Sequence, residues 1–221
     1  MESPMVEIYL VRHPESAQNT DRSIVGGRSN ETPITKRGEQ QARKFAKVFL
    51  AQYPSPDAFY TSPAVRTKAL LDIYNEVAGQ QNGYFIDPDL QELSQGLSEG
   101  LQREKVYTPE VLASIAEQLH DFALPGGESL NDVSSRMEAW VGRVEKRHPN
   151  SVLLASTHGI AISALVGKQL GWSHVQTATN PIHNIDNVSL THLTVNDGKI
   201  NVDFWGKNII EPIENTASTV Y

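Results

Sequence analysis

Apolar and polar positions follow one another along the chain in a way that predicts strands alternating with helices. The uninterrupted apolar run at residues 8–11 predicts a strand buried on both faces, as the strands of a parallel sheet are. After Thr35, which is placed to cap a helix, apolar residues recur at helical spacing. Residues 57–61 predict a second strand, and Ser62 with Pro63 is typical of the N-cap and first turn of a following helix.

The middle of the chain alternates between polar loops and amphipathic helices. Residues 87–100 are rich in Pro, Gly and Ser and predict a loop, whereas residues 109–122 carry apolar side chains at helical spacing. Ser129, with Asp132 three residues later, forms a variant of the capping box. This pattern predicts two helices that are separated by a break at PGGES.

The last third of the chain predicts another buried strand and a hairpin. Residues 151–157 form the strand pattern, and a helix is expected over residues 160–170. Two alternating runs at residues 188–195 and 200–205 flank the turn sequence NDGK, which is typical of a β-hairpin. Because strands alternate with helices, the sequence predicts the α/β class, with a mostly parallel sheet covered by helices on both faces.

Composition limits the functions that this fold can serve. With 221 residues, we expect one domain over residues 1–210 and a loose tail over residues 211–221. A formal charge of −7 argues against nonspecific binding to nucleic acid or to anionic membranes. The sequence has no cysteine, no secretory signal pattern and no apolar run near the roughly 20 residues that span a bilayer. We therefore expect a cytoplasmic protein, either a monomer or a homodimer.

Ionisable side chains follow both of the buried strands. The first strand ends in Arg12 and His13, and the strand at residues 151–157 is followed by His158 and Gly159. If the two strands are neighbours, these groups converge at the carboxyl edge of the sheet, where open α/β sheets bind ligands. Arg66 lies in the first turn of a predicted helix, where a cation is repelled by the positive end of the macrodipole. This placement indicates an anion bound between the Arg66 side chain and the helix N-terminus. Taken singly, each residue has an ordinary structural explanation, as a solvated or paired surface group.

Several motifs occur in an order and spacing that resembles the histidine phosphatase superfamily, with the phosphoglycerate mutase-like fold. They extend over nearly the whole chain, as far as Asn187. The resemblance implies a three-layer α/β/α sandwich and phosphoryl transfer through a phosphohistidine. The motifs are YLVRHPES with Asn19, TPIT followed by Gly38, Gln41 and Ala42, then SPAVRT, LQELSQGLSEG, PGGES and STHG.

The resemblance also implies a role for each site residue. His13 becomes the nucleophile, and the adjacent Arg12 favours its neutral form by charge repulsion. Glu92 becomes the acid that protonates the leaving oxygen and later assists the attack of water. Neither a metal nor another cofactor is implied. The groups implied for binding the phosphate are Arg12, Asn19, Arg66, His158 and Gly159.

Differences from the usual family pattern decide between the possible reactions. LSQG follows Glu92, where phosphoglycerate mutases usually have Arg and Tyr, and the segment after Glu99 lacks their arginine-rich pattern. A phosphatase for a small phosphorylated substrate is therefore preferred over a mutase, with residues 99–124 as a cap over the site. Pro14 replaces the usual glycine, and this keeps a weak enzyme or a noncatalytic phosphate-binding module as an alternative. A metal hydrolase is disfavoured because no HExxH spacing occurs.

Overall fold

The computed structural model of the protein describes residues 5–173 and 185–210. Within these residues six strands form one sheet: β1 (Met5–Arg12), β2 (Ala58–Thr61), β3 (Phe85–Ile86), β4 (Val152–Thr157), β5 (Leu190–Asn196) and β6 (Lys199–Lys207). The helices are α1 (Ala17–Thr20), α2 (Lys36–Gln52), α3 (Val65–Ala78), α4 (Arg103–Val106), α5 (Pro109–Gln118), α6 (Leu130–Arg147) and α7 (Gly159–Leu170).

The strand order places the two buried strands side by side in the middle of the sheet. The order is β3-β2-β4-β1-β5-β6, in which the first four strands are parallel, β5 runs antiparallel to β1, and β6 runs antiparallel to β5. Arg12, the last residue of β1, is in register with Thr157, the last residue of β4. The side chains that follow the two strands therefore emerge at the same edge of the sheet.

Helices cover both faces of the sheet, as the alternation of side chains along β1 shows. Ile8 and Leu10 belong to a core cluster that also contains buried residues of α6 and α7. Tyr9 and Val11 point to the opposite face and pack with buried residues of α2 and α3. Because successive residues of a strand face opposite sides, β1 contributes to both cores. The predicted three-layer α/β/α arrangement is confirmed.

Most of the predicted helix ends and turns are confirmed. The hydroxyl of Thr35 caps α2, and Ser129 forms a reciprocal capping box with Asp132 at the start of α6. The hairpin of β5 and β6 turns at Asp197 and Gly198, whose φ angles are 50° and 74°. Two positive φ angles in succession are what a type I′ hairpin turn requires.

The predicted start of α3 is wrong. Ala64 is extended, with φ −64° and ψ 139°, so the helix begins at Val65 rather than directly after Ser62. The N–H of Val65 donates to the carbonyl of Asn30 at 2.8 Å, and the N–H of Ala64 donates to the Ser62 hydroxyl at 3.3 Å. Contacts outside the helix therefore hold the chain extended up to Val65. The hydroxyl of Ser62 also contacts Thr67 and a histidine of the site, at distances of 2.9 and 2.8 Å.

Two further predicted boundaries differ from the structure. The helix expected over residues 109–122 ends at Gln118, because Leu119 has a positive φ of 55° and the chain continues as a short 3₁₀ turn. The loop after His13 contains the short helix α1. The tail expected at residues 211–221 lies outside the described residues.

The segment proposed as a cap is joined at its base to the loop that follows α1. The N–H of Val25 donates to the carbonyl of Leu101, and the N–H of Gly100 donates back to the carbonyl of Val25. The N–H of Arg103 donates to the carbonyl of Ser23 at 2.7 Å. The single domain and the cap remain predictions. None of the helices within the described ranges is long and apolar enough to cross a membrane.

Candidate active site

The pairing of β1 with β4 brings two buried histidines together. The ring centroids of His13 and His158 lie 5.2 Å apart, with an angle of 62° between the rings. The backbone N–H of His13 donates to the carbonyl of Thr157, which continues the parallel ladder beyond the end of β1. The exposed fraction of His13 is 4%, and that of His158 is zero. The predicted convergence of the two strand ends is confirmed.

The hydrogen bonds of His13 fix its tautomer. Its Nδ1 lies 2.7 Å from the carbonyl oxygen of Pro14. A carbonyl oxygen only accepts, so Nδ1 carries the hydrogen and the lone pair is on Nε2. Burial lowers the pKa of His13 well below its usual value, and the charges of Arg12 and Arg66 lower it further. The ring is therefore neutral, with a nitrogen lone pair next to two arginines.

Arg66 is buried in the first turn of α3, and carbonyl oxygens surround its guanidinium group. Nη1 donates to the carbonyl of Ser29 at 2.8 Å, and Nη2 donates to the carbonyl of Arg28 at 3.0 Å. Nη2 also lies 3.1 Å from Nδ1 of His158. The dipoles of these carbonyl groups offset part of the positive charge of Arg66. The sequence predicts a bound anion that balances that charge. Burial is the main reason that the pKa of Arg66 is lowered.

His158 is held between Arg66 and Ser62. A guanidinium group only donates, so Nδ1 of His158 accepts from Arg66, and its Nε2–H donates to the Ser62 hydroxyl at 2.8 Å. Burial lowers the pKa of His158 well below its usual value, and the positive charge of Arg66 lowers it further. The neutral ring leaves the arginines as the source of positive charge. The sequence pattern indicated only a capping role for Ser62, so its contact with His158 was not predicted.

Arg12 lies on the other side of the two histidines, against the start of α7. A Cβ at Gly159 would lie 3.4 Å from Nε of Arg12, an ordinary van der Waals distance, so Arg12 lies directly against this glycine. Nη1 of Arg12 donates to the carbonyl of Ile185. The buried Nε has no acceptor among the described residues. Burial lowers the pKa of Arg12, and the charges of Glu92 and Asp186 oppose this shift. Within the described ranges, the Nε–H is therefore an unused donor beside the start of α7.

Glu92 lies at the N-terminus of α7, close to both arginines. Its Oε1 accepts from the N–H of Ala161 at 3.2 Å, and its Oε2 accepts from the N–H of Ile160 at 3.3 Å. The positive end of a helix stabilises a carboxylate in this position. The attraction of Glu92 raises the pKa of Arg12 and of Arg66 against the larger effect of burial. The loop residue predicted as the acid therefore belongs to the same cluster.

Asn19 reaches the site through Asn187. The side chain of Asn187 donates to the carbonyl of His13 at 2.9 Å and to Oδ1 of Asn19 at 3.3 Å. Oδ1 of Asn19 also accepts from the N–H of Ser16, which assigns its amide orientation and leaves its nitrogen as a donor. In the sequence, Asn187 only marks where the resemblance to the family ends. Nothing local in its sequence indicates that it holds His13.

The structure thus brings all of the predicted site residues to one edge of the sheet. Within the part of the chain that the structure describes, no three His, Cys, Asp or Glu side chains are grouped so that they can hold a metal ion. The cluster contains two guanidinium groups, two neutral imidazoles, a carboxylate and amide donors. These groups suit an anion with several oxygen atoms, such as a phosphoryl group.

Comparison with known proteins identifies the family. Residues 8–208 match the sequence model of the histidine phosphatase superfamily (branch 1). The chain belongs to this superfamily. It is also similar to the probable phosphoglycerate mutase GpmB of Enterobacter sp., with 31% identity over 169 residues, which are 76% of each chain. A probable GpmB from Photorhabdus laumondii has the same identity and coverage.

Solved structures share the histidine phosphatase fold. YhfR from Bacillus stearothermophilus superposes with a TM-score of 0.80 and 25% identity, covering 93% of this chain and 100% of its own. A mycobacterial glucosyl-3-phosphoglycerate phosphatase gives a TM-score of 0.76 at 22% identity, covering 92% and 100%. A phosphoglycerate mutase from Bacillus anthracis gives 0.75 at 19% identity, covering 93% and 95%. The predicted phosphoglycerate mutase-like fold is confirmed.

Proposed function

We propose that this histidine phosphatase superfamily member hydrolyses a small phosphate monoester through a phosphohistidine on His13. The observation that carries this proposal is the state of the His13 ring, which is neutral and has its lone pair on Nε2. A buried neutral imidazole beside Arg12 and Arg66 combines a nucleophile with groups that attract its anionic target. Nothing in this arrangement requires a metal or another cofactor.

The proposed reaction has two phosphoryl transfers. In the first, Nε2 of His13 bonds to phosphorus, the bond to the leaving oxygen breaks, and Glu92 gives that oxygen its proton. In the second, Glu92 takes a proton from water, and the resulting oxygen nucleophile displaces the histidine to release phosphate. Arg12 and Arg66, with the N–H groups of Asn19 and Gly159, stabilise the charge on the nonbridging oxygens. His158 holds Arg66 and lies against the nucleophile.

The experiment is hydrolysis of an aryl phosphate in the presence of a chelator, with trapping of the labelled intermediate. We expect activity to persist in the chelator and an acid-labile, base-stable label to appear on His13. The His13→Ala variant should lose both, and His148→Ala, at the C-terminus of α6 and at the opposite end of β4 from His158, serves as the matched control. Loss of activity that a divalent ion restores contradicts the proposal. Label on His158, or label retained in His13→Ala, also contradicts it.

The mutase reaction is the second candidate. The relatives from Enterobacter and Photorhabdus are named as probable phosphoglycerate mutases, and this favours testing the reaction. LSQG after Glu92 argues against it, because mutases usually place Arg and Tyr there to hold the sugar acid. Incubation with either phosphoglycerate isomer separates the two: a mutase interconverts them, whereas a phosphatase releases inorganic phosphate from one or neither.

The proposal extends to the surroundings of the site. Residues 99–124 are proposed as a cap, which is supported by hydrogen bonds between its base and the loop at residues 23–25. That loop continues into the carbonyl groups that receive Arg66. The net charge of −7 supports a small phosphorylated substrate rather than nucleic acid or a membrane surface. A cytoplasmic location is part of the proposal.

A further inference from the structure

An ion pair lies beneath the segment that carries Glu92. Arg136, in the second turn of α6, contacts Glu128 in a bidentate arrangement: Nε donates to Oε1 at 3.0 Å and Nη2 donates to Oε2 at 3.1 Å. The exposed fractions of the two side chains are 12% and 17%. A bidentate pair with so little solvent contact is geometrically well defined, unlike a typical surface salt bridge.

The remaining N–H groups of Arg136 bind the backbone on either side of the proposed acid. Nη1 donates to the carbonyls of Asp89 and Gln91 at 2.6 and 2.8 Å, and Nη2 donates to the carbonyl of Glu92 at 3.1 Å. With the two bonds to Glu128, all five N–H groups of the guanidinium are used. A lysine ammonium has three donors and no planar fork, so it cannot reproduce this arrangement.

Glu128 also contacts two other segments near the site, through Ser94 and Arg28. Its Oε2 accepts from the N–H of Ser94 at 2.9 Å, and its Oε1 accepts from Nη2 of Arg28 at 3.0 Å. Burial alone would raise the pKa of Glu128, but hydrogen bonds from Arg136 and Ser94 outweigh it, and the pKa is lowered. Arg28 belongs to the loop whose carbonyl groups receive Arg66. The pair therefore contacts the segments that position both Glu92 and Arg66.

We propose that Arg136, together with Glu128, is a positioning residue that sets the location of the Glu92 carboxylate at the N-terminus of α7. This inference rests on the proposed function, because it concerns proton transfer by Glu92. Arg136 holds the carbonyl of Glu92 itself, so its loss lets the backbone under the acid move. A displacement of about 1 Å is enough to cost a catalytic group a factor of about 10².

The test compares two arginines of the same helix. Arg143 also joins α6 to this segment, through ion pairs with Asp87 and Asp89 at 3.0 and 2.8 Å, but it does not contact Glu92. Arg136→Lys and the control Arg143→Lys are assayed on an alkyl phosphate and on an activated aryl phosphate. We expect Arg136→Lys to lower kcat at least about 10-fold on the alkyl substrate and less than about 3-fold on the aryl substrate. Arg143→Lys should leave the ratio of the two rates unchanged.

The ratio of the two rates is measured on one preparation, so a partial loss of folded protein does not alter it. Glu128→Gln removes one side of the ion pair and should shift the ratio in the same direction. In a Glu92→Gln background, Arg136→Lys should add no further change, because its effect passes through Glu92. Inhibition by inorganic phosphate should stay unchanged in Arg136→Lys.

Two results overturn the inference. The first is an equal loss on both substrates in Arg136→Lys, which indicates a general structural role. The second is an additive effect of the two substitutions. In that case Arg136→Lys shifts the ratio as much in the Glu92→Gln background as it does in the otherwise unmutated protein. Failure of the proposed function is distinguishable from both, because the unmutated protein then hydrolyses neither substrate.

Discussion

The carbonyl oxygen of Pro14 lies 2.7 Å from Nδ1 of His13, so the residue that replaces the family's usual glycine sets the tautomer of the proposed nucleophile. Proline lacks a backbone N–H but keeps its carbonyl, and the carbonyl is the group in use here. The hypothesis that Pro14 turns the protein into a noncatalytic module rests on the missing N–H and the restricted φ of proline, not on this carbonyl. The Pro14→Gly variant tests the effect of that missing N–H.

Pro14→Gly should leave activity nearly unchanged. Glycine offers the same carbonyl acceptor, so we expect kcat on an aryl phosphate within about 3-fold of the unmutated protein. The free energy of unfolding should fall by about 1 kcal/mol, because glycine increases the conformational freedom of the unfolded chain. Enzyme assays and urea denaturation measure the two effects. A gain in kcat of more than about 10-fold would instead show that the absent N–H limits stabilisation of the transition state.

Ser62→Ala should impair both stability and activity. The change removes the acceptor for the Nε2–H of His158, and leaving a buried donor unpaired costs about 1–3 kcal/mol. It also allows the other tautomer, whose Nδ1–H would face Arg66, so we expect kcat to fall by about 10-fold. Ser134→Ala is the control, since that buried hydroxyl bonds only within α6. An unchanged kcat in Ser62→Ala would mean that the tautomer of His158 does not matter.

Glu92→Gln should discriminate between leaving groups. Gln keeps an oxygen for the N–H groups of α7 but cannot give a proton, and a general acid contributes a factor of about 10² to 10⁴. We expect kcat on an alkyl phosphate to fall by about 10² or more, and kcat on an activated aryl phosphate by less than about 10-fold. Steady-state rates, with inhibition by phosphate as a check on binding, measure this. Glu138→Gln, which alters an ion pair with Lys168 away from the site, is the control.

Equal losses on both substrates would assign Glu92 to the attack of water or to the structure of the pocket. No loss on either substrate would remove it from the proposed mechanism.

The buried histidines should make the protein less stable as the pH falls. The pKa values of His13 and His158 are well below the usual 6.5, so below that pH the unfolded chain binds protons that the folded protein does not. The free energy of unfolding is then level above pH 7 and falls below about pH 6.5, by up to about 1.4 kcal/mol per pH unit for each histidine. Urea denaturation across this range measures the slope. The double variant His13→Gln/His158→Gln should flatten it, and an identical slope would contradict the assignment.

Hydropathy patterns and turn residues predicted the order of the main elements, the caps of α2 and α6, and the hairpin. These features depend on short-range physics, such as the capping hydroxyl of Thr35 or the positive φ that Gly198 adopts without strain. The convergence of His13 with His158 was also predictable, because parallel strands place their carboxyl ends at one edge. The boundaries that failed, at Ser62 and Leu119, depend on contacts or backbone angles that no local pattern encodes.

The side-chain partners within the site were not predictable from the sequence. Ser62 and His158 are 96 residues apart, and the local sequence of the serine is fully explained by a turn before a helix. Arg136 follows the pattern of a polar position on an amphipathic helix, yet it holds three backbone carbonyls of the Glu92 segment. Such contacts follow from how the layers pack, which composition and periodicity do not specify.

The position of β1 in the sheet has a consequence for the synthesis of the protein. β1 comes first among the described elements, but both of its neighbours, β4 and β5, come from the far half of the chain. Leu10 pairs with Ala155, about 145 residues later, which a ribosome adds in roughly 7–30 s at about 5–20 residues per second. Throughout that interval an apolar strand has neither of its edges paired. We therefore expect this apolar segment of the nascent chain to stay exposed, and open to chaperone binding, until β4 has been synthesised.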